Sequence, residues 1–480
     1  MKNIEIAQLH ALFLSCNGVS TDSRTIEKGT LFFALKGENF NGNNYACNAL
    51  EQGAAYAVID DESIYESAAA GQERLILVED VLHTLQQLAR YNRLQYKIPV
   101  IGLTGTNGKT TTKELITAAL GSKYRVVATI GNLNNHIGVP LTLLRINSET
   151  QAAVIEMGAS APGEINLLSS LVCPSFGLIT NVGKAHLLGF GSFEGVKAAK
   201  GELYDNLADH KKIAFVNVDN PHLQEMIHSR LNLRVVPYGV NNNCARVLES
   251  NADYPYLRMV IPNPCEAVVC DNLTCSDIAC SIAAENGVTR ANCEPMEITV
   301  NTKLVGSYNA DNVLAALCVA TYFNVPTLDA VAAIEAYVPS NNRSQMVRSG
   351  RNTLIIDAYN ANPTSMAASL ENFRGVEADR KILVLGDMLE LGADSLKEHC
   401  EIIRLAVSVG AEKIFFVGGE FEKAFKELSG NSRLENGEGI MLFENSVLLR
   451  EWMQENQPGG YTLLIKGSRG TRLERVFDVL

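Results

Sequence analysis

Apolar runs that end in turn residues and give way to helical patterns recur through most of this chain, and that recurrence limits the fold more than any other feature. From Ile98 the runs are IPVIGLTG, AAVIEMG, FGLITNVG and KIAFVNVDN; from about Pro339 they are TLIIDAY, KILVLGD, KIFFVGG, GIMLFE and YTLLIKG. Strands apolar on both faces and alternating with helices predict mostly parallel sheets covered on both sides. Ahead of them, short runs at Thr30–Leu35, Ala55–Ile59 and Leu75–Val78 alternate with helical patterns, which predicts a small α/β domain closed by a Leu- and Arg-rich helix. Between about Val235 and Val305 the helical patterns give out, and short alternating segments predict an antiparallel appendage. The fold class expected is therefore α/β in three domains. These are a small N-terminal α/β domain (1–96), a central P-loop mononucleotide-binding parallel-sheet domain (97–338) and a C-terminal Rossmann-like domain (339–480). SNNRS, Ser340 to Ser344, reads as the hinge before the last.

A length of 480 residues agrees with several domains, since single cores stop growing near about 250–300 residues. The formal net charge of −12 argues against a nucleic-acid partner, because phosphate backbones require clustered Lys and Arg. Neither a signal peptide nor an apolar stretch long enough to span a bilayer is present, so no membrane insertion and a cytoplasmic location are expected. The odd total of 11 cysteines suits a reducing compartment. Cys265, Cys270, Cys275 and Cys280 recur every five residues, a spacing that fits neither a zinc site nor a disulfide framework. Small buried or edge-strand cysteines are expected there.

The sharpest local signal is PVIGLTGTNGKTTTKELITAAL, a strand, a glycine turn and a helix in that order. Gly105 and Gly108 let the backbone amides of Thr106 and Asn107 fold towards an anion, and a helix N-terminus near Thr110 and Thr111 adds its dipole. Lys109 is placed to reach the β- and γ-phosphates of ATP, and the Thr110 hydroxyl to bind Mg²⁺. Where the longer P-loop motif has its first glycine this chain has Leu103, and the loop takes the shorter form G-T-N-G-K-T.

TGTNGKTTT resembles the loop of the Mur ligase and folylpolyglutamate synthase superfamily, which forms amides through acyl phosphates. The resemblance runs along nearly the whole chain, through TDSR, GNLNNHIGVPLTLLR, EMGAS, ITNVGKAHLLGFGS, KAAKGELY, GSYNADNVLAA, NNRSQMV, IIDAYNANPTSM, VLGDMLELG and LIKGSRGTRLE. GNLNN, DAYNANPTSM, LGDMLELG and KGSR look like the Mur ligase branch that adds D-alanyl-D-alanine to UDP-N-acetylmuramoyl-tripeptide. The resemblance implies those two small-molecule substrates, ATP and two Mg²⁺ ions.

It also implies roles for particular residues. Glu156, at a strand end, would complete one Mg²⁺ site, the bland alternative being a solvent-exposed acid. His186 would bind the second Mg²⁺. Lys200 would react with CO₂ to form a carbamate, turning a cation into an oxygen ligand, whereas Lys197 reads as an ordinary helix-surface lysine. Asn309 and Asn312 would contact the nucleotide base region; the neighbouring Tyr308 stands where the family often has histidine. Arg343 would meet phosphate and Asp357 ribose, with surface ion pairing as the alternative. Ser23 and Arg24 resemble uridine-diphosphate contacts, and Asn134 and Asn135 resemble residues facing the muramoyl-peptide. Asn360, Asp387 and Lys466, at C-terminal strand ends, are further substrate candidates, with turn and cap roles competing for the asparagines.

The activity expected is an ATP-dependent carboxylate–amine ligase. The alternatives are another ligase of the superfamily, or a P-loop ATPase that hydrolyses ATP without needing both an acid and an amine.

Overall fold

The computed structural model describes residues 1–2, 4–68, 72–249, 255–262, 297–340, 342–430 and 439–480. The four regularly spaced cysteines, Cys265 to Cys280, lie outside them. Three sheets are built mainly from parallel strands. The first has β1 (Val19–Ser20), β2 (Leu31–Phe33), β5 (Tyr56–Ile59) and β6 (Leu75–Leu77) in the order β1-β2-β5-β6, all parallel; β3 (Lys36–Gly37) and β4 (Phe40–Asn41) form a separate small hairpin.

The second sheet contains β7 (Val100–Thr104), β8 (Val126–Ala128), β9 (Ala152–Glu156), β10 (Phe176–Ile179), β11 (Ile213–Asn217) and β12 (Arg234–Tyr238), in the order β12-β11-β10-β7-β9-β8. Every residue of β7, β9 and β11 is buried, as expected of strands covered on both faces. The antiparallel appendage is the three-stranded sheet β13 (Arg246–Leu248), β14 (Arg258–Pro262) and β15 (Glu297–Asn301).

The third sheet has the order β16-β17-β21-β18-β19-β20, formed by Gln345–Arg348, Thr353–Asp357, Thr462–Lys466, Lys381–Gly386, Lys413–Val417 and Ile440–Phe443. Its edge strand β16 runs antiparallel to β17 and begins at Gln345, directly after the SNNRS segment read as a hinge. All its other pairings are parallel. Two apolar clusters occupy its faces, one around Leu383, Leu385, Phe416 and Phe373, the other around Ile382, Val384, Phe415 and Ile465.

The chain divides into two compact units. One comprises Met1–Leu103, Tyr124–Gly158 and Glu164–Gly177; the other comprises Thr104–Lys123, Ala159–Gly163 and Leu178–Leu480. Among the described residues no helix is long and apolar enough to cross a membrane.

Candidate active site

The phosphate loop begins where β7 ends. Gly105 has φ +143°, and a Cβ there would overlap the Thr180 hydroxyl; Gly108 has φ +78°, and its Cβ would lie 2.7 Å from Asn312 Oδ1. Only glycine permits both the left-handed backbone and the close approach. The loop is pinned from behind: Thr106 N donates to Asn181 O (2.9 Å), Asn107 N to Asn181 Oδ1 (2.9 Å), and Thr180 Oγ1 to Asn107 O (2.6 Å). Lys109 opens the helix Lys109–Gly121 and folds its Nζ back onto the carbonyls of Gly105 (2.8 Å) and Thr106 (3.0 Å). Thr110 and Thr111 are buried in the helix's first turn.

Asn309 and Asn312, expected at the nucleotide base region, sit in one hydrogen-bond chain. Both are buried. Asn312 accepts from Thr112 Oγ1 (2.9 Å) and donates to Asn309 Oδ1 (2.8 Å), while Asn309 donates to Val305 O (2.8 Å) and Ser344 Oγ (3.2 Å). These hydrogen bonds brace the phosphate-loop helix. The neighbouring Tyr308 is half-buried, its hydroxyl 3.5 Å from Ser344 Oγ.

Glu156 ends β9 in register with Leu103, one residue before β7 runs out into the loop. It is 1% exposed, which removes the reading of a solvent-exposed acid. Asn134 Nδ2 donates to its Oε1 at 2.8 Å, so that asparagine orients the carboxylate. Asn135 has a local task instead, its Oδ1 accepting from Ile137 N (3.1 Å) and Gly138 N (2.9 Å) as a turn and cap residue does. In TDSR, Ser23 is buried and Arg24 exposed. Arg24 meets both oxygens of Asp22 through Nε (2.8 Å) and Nη2 (2.7 Å), and that fork pulls the Asp22 pKa down to about 2.

His186 (φ +51°) and Glu390 (φ +65°) both have left-handed backbone, uncommon without glycine, and they meet through Nδ1 and Oε2. Burial pushes the His186 pKa down while Glu390 opposes it. The two lysines of KAAK lie on one helix, Phe193–Asp209, and are sorted by their surroundings. Lys197 is not the ordinary surface lysine expected from sequence: it is buried and paired with Glu225 (2.7 Å) and Glu194 (3.3 Å). Lys200, 2% exposed, has its Nζ 3.3 Å from Ala159 O and 5.2 Å from the Phe190 ring centroid.

In the C-terminal sheet, Lys466 and Asp357 occupy opposed register positions and form an ion pair. Asp387 accepts from Glu420 N (3.0 Å) and Phe421 N (2.9 Å), one through each oxygen, at the start of the helix Gly419–Gly430. Arg343 stacks its guanidinium 3.8 Å from the Tyr359 ring centroid, and Arg469 lies 5.7 Å from the same ring. Asn360 lines a cavity of about 120 Å³ together with His186, Asn362, Glu390, Ser468 and Arg469. Asn362 also exchanges amide hydrogen bonds with Asn107 (2.7 and 3.4 Å) and caps the helix Pro363–Arg374, which explains why NANPTS starts a helix there.

Sequence reasoning missed Asn181, Tyr359, Asn362, Glu390 and Arg469 as site residues. All five lie inside motifs that carry the resemblance, so the motif spans were the available signal.

Three profiles match in chain order: the "Mur ligase family, catalytic domain" over residues 15–93, the "Mur ligase middle domain" over 103–320 and the "Mur ligase, glutamate ligase domain" over 342–469. The chain is 34% identical to the "UDP-N-acetylmuramoyl-tripeptide--D-alanyl-D-alanine ligase" of Bacillus subtilis over 466 residues, covering 96% of this chain and 92% of that one. The chain belongs to the Mur ligase family. Within that family, the Escherichia coli ligase of the same name is 31% identical, over 98% of this chain and 95% of its own length. A crystal structure of MurF from Acinetobacter baumannii superposes with a TM-score of 0.79 at 27% identity, covering 98% of this Mur ligase and 97% of that chain.

Thr110 in one unit offers a hydroxyl oxygen and Glu156 in the other a carboxylate, each by itself the hard oxygen donor that Mg²⁺ takes. Among the described residues no group of three or more His, Cys, Asp or Glu is placed to hold a metal ion.

Proposed function

We propose that this Mur ligase joins D-alanyl-D-alanine to UDP-N-acetylmuramoyl-tripeptide, forming ADP and phosphate, in peptidoglycan precursor synthesis. The observation that carries the reading is the self-braced short loop Gly105–Thr110, in a chain matched along almost its full length by ligases of that name. The domain division inferred, 1–96, 97–338 and 339–480, is supported by the three profile spans. A cytoplasmic location is supported by the described cysteines, Cys16, Cys47, Cys173, Cys244, Cys318 and Cys400, which are all free thiols.

In this reading the tripeptide carboxylate attacks the γ-phosphoryl group of ATP, and the resulting acyl phosphate is taken by the dipeptide amine. The tetrahedral adduct then collapses to amide and phosphate. Lys109 exchanges its two loop carbonyls for phosphate oxygens and neutralises charge as it develops. Because Thr106 N and Asn107 N donate to Asn181, the amides of Gly108, Lys109 and Thr110 are the ones that hold the same phosphates at the helix N-terminus. Arg343 on Tyr359 is a second cation for phosphate, and Asp357 would take the ribose in exchange for Lys466. Ser23 and Arg24 bind the uridine diphosphate.

Thr110, Glu156, His186 and Lys200 would hold two Mg²⁺ ions, which supply charge neutralisation across the transferred phosphoryl group. A lysine ammonium cannot ligate a cation, so Lys200 serves only as the carbamate. Its burial, 2% exposed, sets it apart from a solvent-exposed helix lysine and supports that assignment.

Phosphate release is the deciding assay. With ATP, UDP-N-acetylmuramoyl-tripeptide and D-alanyl-D-alanine together, release should be fast, and omission of either acid or amine should stop it. Undiminished release with both omitted would identify an ATPase instead.

A further inference from the structure

The turn bearing Glu390 follows β18, and three successive backbone N–H groups anchor it. Asp387 N donates to Val417 O (3.0 Å), Met388 N to His399 Nε2 (3.1 Å) and Leu389 N to Ser468 Oγ (3.1 Å). His399 is fully buried on the helix Ser395–Ser408, with the Phe421 ring edge-on at 4.7 Å. Its neighbours determine where its proton sits. Ser395 O, 2.7 Å from Nδ1, can only accept, so Nδ1 carries the hydrogen; Met388 N can only donate, so Nε2 offers a lone pair.

A protonated ring would lose that acceptor. The Asp387 carboxylate lies 3.8 Å from Nε2, but both its oxygens already accept backbone N–H groups, so it does not require a proton there. Burial lowers the His399 pKa against the pull of Asp387, Glu420 and Glu398, which favours the same neutral form.

We propose that His399 is a positioning residue for the ligation reaction: its neutral ring fixes the Met388 amide, and with it the Glu390 turn that holds His186. The left-handed φ of Glu390 (+65°) makes such a clamp necessary, because an unrestrained glutamate would leave that conformation. The inference rests on the reading of His186 as part of the active site.

Two substitutions test it. His399→Leu keeps bulk but removes the acceptor, and His399→Gln retains an acceptor oxygen near the place of Nε2. Amide exchange of residues 386–392, followed by mass spectrometry in nucleotide-free protein, should accelerate about tenfold in the leucine variant while β18 stays protected. Its kcat should fall about tenfold with KM for ATP unchanged, and the glutamine variant should recover most of both. A leucine variant identical to wild type in exchange and kcat would overturn the proposal. So would a glutamine variant as impaired as the leucine one, since that pattern marks a packing role. Should the leucine variant unfold, the glutamine variant decides: wild-type exchange and kcat support the clamp, and loss of either overturns it. Wild-type protein that forms no amide from the named substrates would refute the functional reading, and the exchange result would still judge the clamp.

Discussion

Replacing Asn312 with alanine separates two ideas about how asparagines serve this site. Its side chain is buried, accepts from Thr112 Oγ1 at 2.9 Å and donates to Asn309 Oδ1 at 2.8 Å. Alanine strands a buried hydroxyl on one side and an amide oxygen on the other. At about 1–3 kcal/mol for each stranded group, the helix carrying Lys109 should lose about 2–6 kcal/mol of local stability where water cannot enter. The consequence for nucleotide binding is indirect. A loosened loop should raise KM for ATP about tenfold or more and raise KM for GTP by the same factor, because no base contact has been removed. Thr112→Val removes the same hydrogen bond from the other end, so the double variant should be milder than the sum of the singles. Steady-state kinetics with both nucleotides, alongside thermal unfolding, makes the measurement. A changed preference between ATP and GTP with unaltered stability would refute the bracing argument and restore the base contact.

Lys200→Ala should lose most activity, and a small carboxylic acid in the buffer should restore part of it by supplying the missing oxygen ligand; a variant near wild type, or one that carboxylates cannot help, counts against the carbamate. Lys197→Ala should remain active, its cost confined to the ion pairs with Glu194 and Glu225, and an inactive Lys197→Ala would reverse the assignment of the two lysines. Asp22→Asn should raise KM for the UDP-linked substrate several-fold with KM for ATP unchanged, by freeing the Arg24 fork; equal shifts in both would exclude a local role. Because the Asp22 pKa is lowered from 3.8 to about 2, the pair's stabilisation is complete above about pH 3.8 and fades as pH falls through 2, a change that Asp22→Asn should lack in acid titrations.

The parallel strands were legible because burial on both faces leaves continuous apolar runs: β7, β9, β10 and β11 all fall within the runs read from sequence. Strands β8 and β12, VVA and RVVPY, were missed; they sit at the two edges of their sheet and are only partly buried, so the apolar signal weakens. β16 was hidden for a related reason, being a short antiparallel edge strand of polar composition. In the site, the glycines announced themselves through spacing, since a phosphate loop demands them at set positions. Asn309, Asn312, Asn135 and Asp387 were harder. An amide or carboxylate that satisfies backbone groups has the same letter in a sequence as one that faces substrate, and only the partner's identity tells them apart. The Glu390 pairing with His186 spans 204 positions and leaves no local pattern at all.

The strand order of the C-terminal sheet has a consequence for synthesis. β21 lies between β17 and β18, so the sheet's interior stays open until residues 462–466 have been made. Asp357 must wait for a partner 109 residues downstream. At about 5–20 residues per second that interval lasts about 5–20 s, during which β17 and β18 keep unpaired backbone edges with nothing between them. A nascent chain paused in this window would be a target for chaperones, and the ribosome must pass Lys466 before the domain can close.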